Sequence, residues 1–95
     1  MNIDITARHF SPSEQLKEMV YGKLKKIEKF NRSIMSCRVI LTKEVNFEDV
    51  EIVVNGKGYH FVANENSDNF EKSLISAVEK ITIQVKKQHE KLMDH

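Results

Sequence analysis

The chain has 95 residues, of which 40% are hydrophobic, 15 are Lys or Arg and 14 are Asp or Glu, so its formal net charge is +1. This length suits one domain that buries roughly two thirds of the surface its unfolded chain would expose. The near-neutral balance excludes binding of nucleic acid through bulk charge, so only the distribution of the charges could create such a site.

The first elements in chain order are a strand and a helix. Asn2 to His9 alternates polar and apolar residues, a pattern that predicts a half-buried strand. A helix start follows, with Ser11 as the cap, Pro12 at the first helical position and Glu14 completing a capping box. The apolar period predicts that this helix continues to about Arg32.

Three further strands follow the first helix. The alternation of apolar residues predicts them at Met35 to Lys43, Glu48 to Asn55 and Tyr59 to Ala63. The segment Asn55-Gly56-Lys57-Gly58 is a hairpin signal, because Asn and Gly adopt positive φ at little cost. Since the connections are short, these strands should form an antiparallel meander.

The last predicted element is a long helix from Asp68 to Leu92, capped by Ser67 or Asp68. The order is therefore β-α-β-β-β-α. Each helix has one apolar face, and a sheet needs one face covered. The sequence thus predicts an α+β domain of two layers, with both helices packed on one face of a four-stranded sheet.

Each helix carries basic residues, joined on the last helix by an amide residue, along one edge of its apolar face, and no Asp or Glu of the same helix lies on that edge. These residues are Lys80, Gln84, Lys87 and Lys91 on the last helix, and Lys23, Lys26 and Lys29 on the first. Two interpretations stay open: an edge that binds phosphates, or lysines that lay their stems on apolar surface and keep their ammonium groups in water. Lys23 favours the first, because it lies almost inside the apolar face.

The sequence lacks the motifs of common enzymes. Three glycines are too few for a phosphate-binding loop or a dinucleotide fingerprint. His9, His60, His89 and His95 lack metal-ligand spacing, and Cys37 reads as a small core residue. We therefore expect that the chain is not an enzyme and that it binds neither a cofactor nor a metal ion.

The sequence also shows no targeting or spanning segment. Nothing near Met1 resembles a signal peptide, and no run approaches the ~20 apolar residues of a membrane span. A single cysteine leaves no internal disulfide. We therefore expect a small, soluble, cytoplasmic domain without a membrane partner.

Two smaller features have alternative explanations. Gly22 interrupts the first helix and either allows a partner backbone to approach or is a tolerated surface residue. Ile40, Val53 and Val62 should line the sheet face away from the helices. They are either ordinary exposed β-branched residues or a small self-association patch.

Six segments of the chain carry a family likeness. In the N-terminal half they are IDITAR at 3–8, EQLKEMV at 14–20 and KLKKIEKF at 23–30. In the last helix they are DNF at 68–70, EKI at 79–81 and QVKK at 84–87. Together they resemble the ribosome hibernation-promoting factors, a family also called ribosome-associated inhibitors or ribosomal subunit interface proteins. The resemblance covers essentially the whole chain.

The resemblance implies a fold similar to double-stranded-RNA-binding domains and binding to the small ribosomal subunit in the channel where mRNA and tRNAs lie. There the domain would block translation and preserve idle ribosomes under starvation or stress. Contacts would be mainly to ribosomal RNA, without a small-molecule substrate, and the domain would be monomeric off the ribosome. Basic positions of the family pattern match Lys17, Lys23, Lys26, Lys29, Lys80, Lys87 and Lys91.

The same resemblance bears on domain organisation and on the alternative function. Because the sequence stops just after the last helix, residues 1–95 look like a short form without the C-terminal dimerisation domain of long forms. Ile83 stands where the family usually has Arg, and His89 replaces a common Lys. The alternative is a general double-stranded-RNA-binding module, but that class has basic residues where this chain has Asp68 to Glu71.

Overall fold

The computed structural model describes the backbone of residues 1–93 and the side chains of residues 1–88. Its strands and helices follow the predicted order β-α-β-β-β-α, which is confirmed. A short 3₁₀ helix extends the first α-helix. The elements are β1 (Asn2–Arg8), α1 (Glu14–Lys25), the 3₁₀ helix (Lys26–Lys29), β2 (Ile34–Lys43), β3 (Glu48–Gly56), β4 (Tyr59–Ser67) and α2 (Phe70–Met93).

The strands form one mixed sheet in the order β1-β2-β3-β4. β1 is parallel to β2, and the two later pairs are antiparallel, as the predicted meander requires. One row across the sheet shows the register, with Ile5 beside Val39, Val39 beside Ile52 and Ile52 beside Ala63. Because side chains alternate along a strand, this row lies on a single face.

The core lies between that face and the helices. Val20 and Leu24 of α1 and Leu74 and Ile81 of α2 belong to the same buried cluster as the inward residues of β2, β3 and β4. Both helices therefore cover one side of the sheet, as predicted. No helix in the described part of the chain is long and apolar enough to cross a membrane.

The first helix begins and ends differently from the prediction. β1 stops at Arg8 because His9 has a φ of 71°, which breaks the extended backbone. Ser13 caps α1, its hydroxyl accepting a hydrogen bond of 3.1 Å from the Leu16 amide, so the prediction of Ser11 was wrong. α1 ends at Lys25, and the chain continues in a 3₁₀ helix. Such tightening is common in the last turn of a helix.

The start of the second helix also differs from the prediction. β4 continues through the polar residues after Ala63 to Ser67, where a loop was predicted. The cap of α2 is Asn69, whose side-chain oxygen accepts a hydrogen bond of 2.8 Å from the Lys72 amide. The predictions of Ser67 and Asp68 as caps were wrong, since Ser67 lies in the strand.

The β3–β4 hairpin closes with Lys57 and Gly58 as its turn, and Gly58 supplies the positive φ of 85°. Gly56 pairs with Tyr59 across the hairpin. A Cβ at Gly56 would clash with the Tyr59 ring, so the ring occupies the place of a side chain there. The hairpin therefore requires glycine at both positions.

The two smaller features have different outcomes. A Cβ at Gly22 would meet nothing within 4 Å, so no contact within the chain requires a glycine there. On the open sheet face, Ile40 and Val53 are half-buried and Val62 is 45% exposed. The self-association patch stays a prediction.

Candidate nucleic-acid interface

The lysines of the first helical segment border a groove beside α2. The groove has a volume of about 260 Å³, and we call it the interhelical groove. Its lining is Lys23, Lys26, Ile27 and Phe30 on one side and Ile75, Val78, Glu79 and Thr82 on the other. Lys23 is half-buried, whereas Lys26 and Lys29 are exposed. Lys23 and Lys26 therefore border the groove beside α2, and Lys29 is exposed outside its lining.

The predicted edge of α2 lies on its other side, along β4, and we call the row Ser76, Lys80, Gln84 and Lys87 the β4 flank. The Ser76 hydroxyl donates a hydrogen bond of 2.7 Å to Glu65, and the Lys80 ammonium lies 3.0 Å from the same carboxylate. The Gln84 amide donates to the backbone carbonyl of Val62 at 3.4 Å. The edge is free of acids on its own helix, but β4 supplies one.

The Glu65 carboxylate is stabilised in its charged form. The hydrogen bond from Ser76 and then the contact with Lys80 lower the pKa of Glu65 below its usual value. At neutral pH the carboxylate is charged and lies 3.0 Å from the Lys80 ammonium. A phosphate that binds Lys80 has to compete with Glu65 for the same ammonium group.

The two basic rows do not face each other. Val78 and Thr82 line the interhelical groove, whereas Lys80 and Gln84 contact β4 residues, so the width of α2 separates the rows. Lys17 stands apart from both. It lies about 120° round α1 from Lys23 at 100° per residue, and its ammonium is 3.4 Å from Glu14. The structure thus brings together Lys23 and Lys26 but separates them from the α2 row.

Lys86 is a basic residue whose position the sequence did not predict. Its ammonium lies 4.4 Å from the centre of the Phe30 ring, a cation–π contact that joins α2 to the residue after the 3₁₀ helix. Lys86 lies outside both predicted edges. The contact depends on how the helices pack, and helical periodicity alone carries no signal for it.

The C-terminal half of α2 continues the β4 flank. Lys87 is exposed and, with Gln84 and Phe61, lines a shallow depression beside β4. Ile83, which departs from the family pattern, is 53% exposed. The predictions for Lys91 and His89 lie outside the side chains that the structure describes.

Cys37 and the potential metal ligands are the remaining reactive side chains. Cys37 is 1% exposed, and burial raises the pKa of its thiol to about 12, so the thiol is protonated at neutral pH. Within the described residues no three His, Cys, Asp or Glu side chains are grouped to hold a metal ion.

The N-terminus of α2 carries a carboxylate. Glu48 of β3 accepts a hydrogen bond of 2.9 Å from the Phe70 amide through its carboxylate oxygen. A helix N-terminus is otherwise a favourable place for a phosphate. Because Glu48 holds this position, phosphate binding at the start of α2 is disfavoured.

A comparison with protein families decides the identity of the chain. The model of the family "Sigma 54 modulation protein / S30EA ribosomal protein" matches residues 3–93. The chain belongs to this family. A ribosome hibernation promoting factor from Pseudomonas putida is 26% identical over 91 residues, which are 96% of this chain and 89% of that protein. Membership of the S30EA family supports a ribosome-associated role in translation regulation, in a family of ribosome factors rather than enzymes.

Solved structures show the same fold. A ribosomal subunit interface protein from Coxiella burnetii superposes with a TM-score of 0.86 at 24% identity, covering 93% of this chain and 97% of that one. The N-terminal domain of Thermus thermophilus Protein Y gives a TM-score of 0.84 at 21% identity, covering 92% and 98%. The predicted resemblance and the α+β fold are both confirmed.

Proposed function

We propose that this S30EA family member binds the small ribosomal subunit in the channel where mRNA and tRNAs lie, and that it inhibits translation by occupying that channel. The observation that carries the proposal is the helical surface around Lys23, Lys26 and Lys29. None of these lysines makes an ion pair with another described side chain, so their charges are available to phosphates.

The chemistry of this binding is electrostatic. Lysine ammonium groups act as point charges toward phosphate oxygens and do not read base sequence. Affinity should therefore fall steeply with salt, because each phosphate contact releases condensed counterions. Recognition would depend on the shape of folded RNA, since the lysines project from rigid helices. Inhibition then needs no catalytic step.

The cellular setting follows from this proposal. The chain acts in the cytoplasm on ribosomes that are idle under starvation or stress, and it preserves them in that state. Residues 1–95 act as one ribosome-binding domain and are monomeric away from the ribosome. Lys17, Lys80, Gln84, Lys87 and Lys91 extend the contact beyond the first helix.

Co-sedimentation with purified small subunits at increasing salt tests the proposal. We expect the protein to sediment with the subunit at low salt and to be released as salt rises, with a linear dependence of log affinity on log salt. Absence of co-sedimentation at low salt would rule out the proposed function.

A double charge reversal tests the assigned face. The variant with Lys23→Glu and Lys26→Glu should lose binding by at least tenfold, since it replaces phosphate contacts with repulsion. The matched control reverses Arg8 and Arg38, which project from the open sheet face. Equal losses in both variants would show that net charge matters and that the helical face does not.

Competition with naked RNA separates the alternative function. Unlabelled ribosomes should displace the labelled protein at much lower concentration than duplex RNA does. The carboxylate of Glu48 at the start of α2 supports this expectation, because a general duplex-binding module needs phosphate contacts there. Equal competition by duplex RNA would favour the general module.

A further inference from the structure

The interhelical groove combines apolar walls with two lysines and one carboxylate, that of Glu79. Ile27 is buried in its wall, whereas Ile75 is 39% exposed to solvent. Lys23 and Lys26 border the same space. An apolar groove that is open to solvent and flanked by lysines suits a ligand with a flat apolar body and negative groups beside it.

We propose that the interhelical groove binds an unstacked nucleobase of single-stranded RNA, with the base against Phe30 and its flanking phosphates on Lys23 and Lys26. Splayed bases of RNA loops commonly stack on aromatic side chains while basic residues hold the backbone. The inference rests on the proposed function, because it names the RNA element that part of the same surface would contact.

The contact between Lys86 and Phe30 supports this assignment. The ammonium lies 4.4 Å from the ring centre; Phe30 is half-buried and Lys86 is exposed, so the side chain that covers this face of the ring is one that solvent can take up. Base stacking on an aromatic ring is generally stronger than an exposed cation–π contact. A base therefore replaces the ammonium on the ring, and Lys86 becomes available to a phosphate.

The polar residues of the groove can hydrogen-bond a base. The Glu79 carboxylate can accept from the exocyclic amine of adenine, cytosine or guanine, or from the ring N–H of uracil. The Thr82 hydroxyl already donates to the Val78 carbonyl at 2.7 Å, so it offers the base an acceptor. The groove therefore presents acceptors to the N–H groups of a base.

A tryptophan probe tests the stacking directly, because the protein contains no Trp. In Phe30→Trp, a six-nucleotide adenosine RNA should quench the fluorescence, and the same RNA with abasic central positions should quench it much less. The control is Phe47→Trp in the β2–β3 loop, where Phe47 is 40% exposed and outside the groove. Equal quenching by the two RNAs, or equal quenching of both variants, would overturn the proposal.

Binding to small subunits separates this proposal from the proposed function. Phe30→Leu should weaken binding roughly tenfold without changing the salt dependence, because stacking releases no counterions. Phe30→Tyr keeps a ring and should restore the affinity. If all variants bind the subunit like the original protein, the groove proposal fails and the proposed function stands. If RNA quenches Phe30→Trp but neither the original protein nor any variant binds subunits, the groove proposal stands and the proposed function fails.

A protein partner is the competing occupant. A peptide of acidic and apolar residues, tested against Phe30→Trp, should leave the fluorescence unchanged. Quenching by this peptide together with no response to the adenosine RNA would overturn the proposal and make the groove a protein-docking site.

Discussion

Lysines lie along both sides of α2, but their surroundings differ. Toward α1, Lys23 and Lys26 border an apolar groove and make no ion pair with another described side chain. Toward β4, Lys80 is held 3.0 Å from Glu65. The comparison teaches that a lysine on a helix edge is available to a phosphate only if the neighbouring strand leaves it so.

The largest expected effect is on the free energy of unfolding, and it should differ between the buried and the exposed wall of the interhelical groove. Ile27→Ala should lower the free energy of unfolding by about 2–5 kcal/mol, because Ile27 is 1% exposed and its loss leaves a cavity. Ile75→Ala in the opposite wall should cost about 1 kcal/mol, since Ile75 is already 39% exposed. Urea unfolding with equal m-values measures both, and equal losses would contradict this description of the groove.

The next effect is on the salt dependence of binding, measured in two double substitutions that leave the net charge unchanged. Lys26→Ala with Glu79→Gln removes a groove lysine and a groove carboxylate, and it should lower the slope of log affinity against log salt by about 0.7–0.9. Lys80→Ala with Glu65→Gln removes the ion pair of the β4 flank and should lower the slope less, because Glu65 competes with phosphate for Lys80 in the original protein. Small-subunit binding across a salt series measures both slopes. A reversed order would show that Lys80 makes the stronger phosphate contact.

Removing the charge of Glu65 should make Lys80 of the β4 flank as available to RNA as the lysines of the interhelical groove. Glu65→Gln keeps an acceptor for Ser76 but frees Lys80, so RNA binding should strengthen by up to about fivefold, the equivalent of one surface ion pair. Asp68→Asn is the control, because it makes the same charge change beside Lys72. An equal gain in both variants would attribute the effect to net charge.

The smallest effect is the pH dependence of the same carboxyl group. Since the folded protein lowers the pKa of Glu65, its contribution to stability is present at neutral pH and is lost as the pH falls through that lowered value. Titration followed by NMR should give a midpoint below the usual one for Glu. Ser76→Ala and Lys80→Ala should each raise the midpoint, because the Ser76 hydrogen bond and the Lys80 contact both lower the pKa of Glu65. An unchanged midpoint in either variant would contradict the assignment.

The strands show how far a repeating pattern predicts the fold. Inward positions such as Val39 and Ile52 are aliphatic, so period-two alternation gave β2 and β3 their correct faces. The same rule ended β4 at Ala63, because the next residues are polar. They remain in the strand because they pair with β3 along Glu48–Glu51.

The caps show why element ends were missed. Ser11 and Ser13 both suit an N-cap, as do Ser67, Asp68 and Asn69, so composition does not choose among them. The N-cap is the residue at which the backbone turns into the helix, and tertiary packing decides where that turn lies.

The candidate site was only partly predictable. Helical periodicity found Lys23, Lys26 and the α2 row, because each row lies on one helix. It missed Glu65 and Lys86, whose contacts with Lys80 and Phe30 join separate elements. The role of the lysines in RNA binding and the organisation as a single domain stay predictions.

The mixed sheet has a consequence for the order of folding. β2, β3 and β4 are joined by short turns, and such hairpins close in roughly 1–10 μs. β1 pairs in parallel with β2 only after the chain between Arg8 and Ile34 has been ordered, and this longer closure has a higher entropic cost. We therefore expect β1 to join the sheet last. During synthesis β1 emerges from the ribosome before β2 and therefore stays unpaired until β2 has been made.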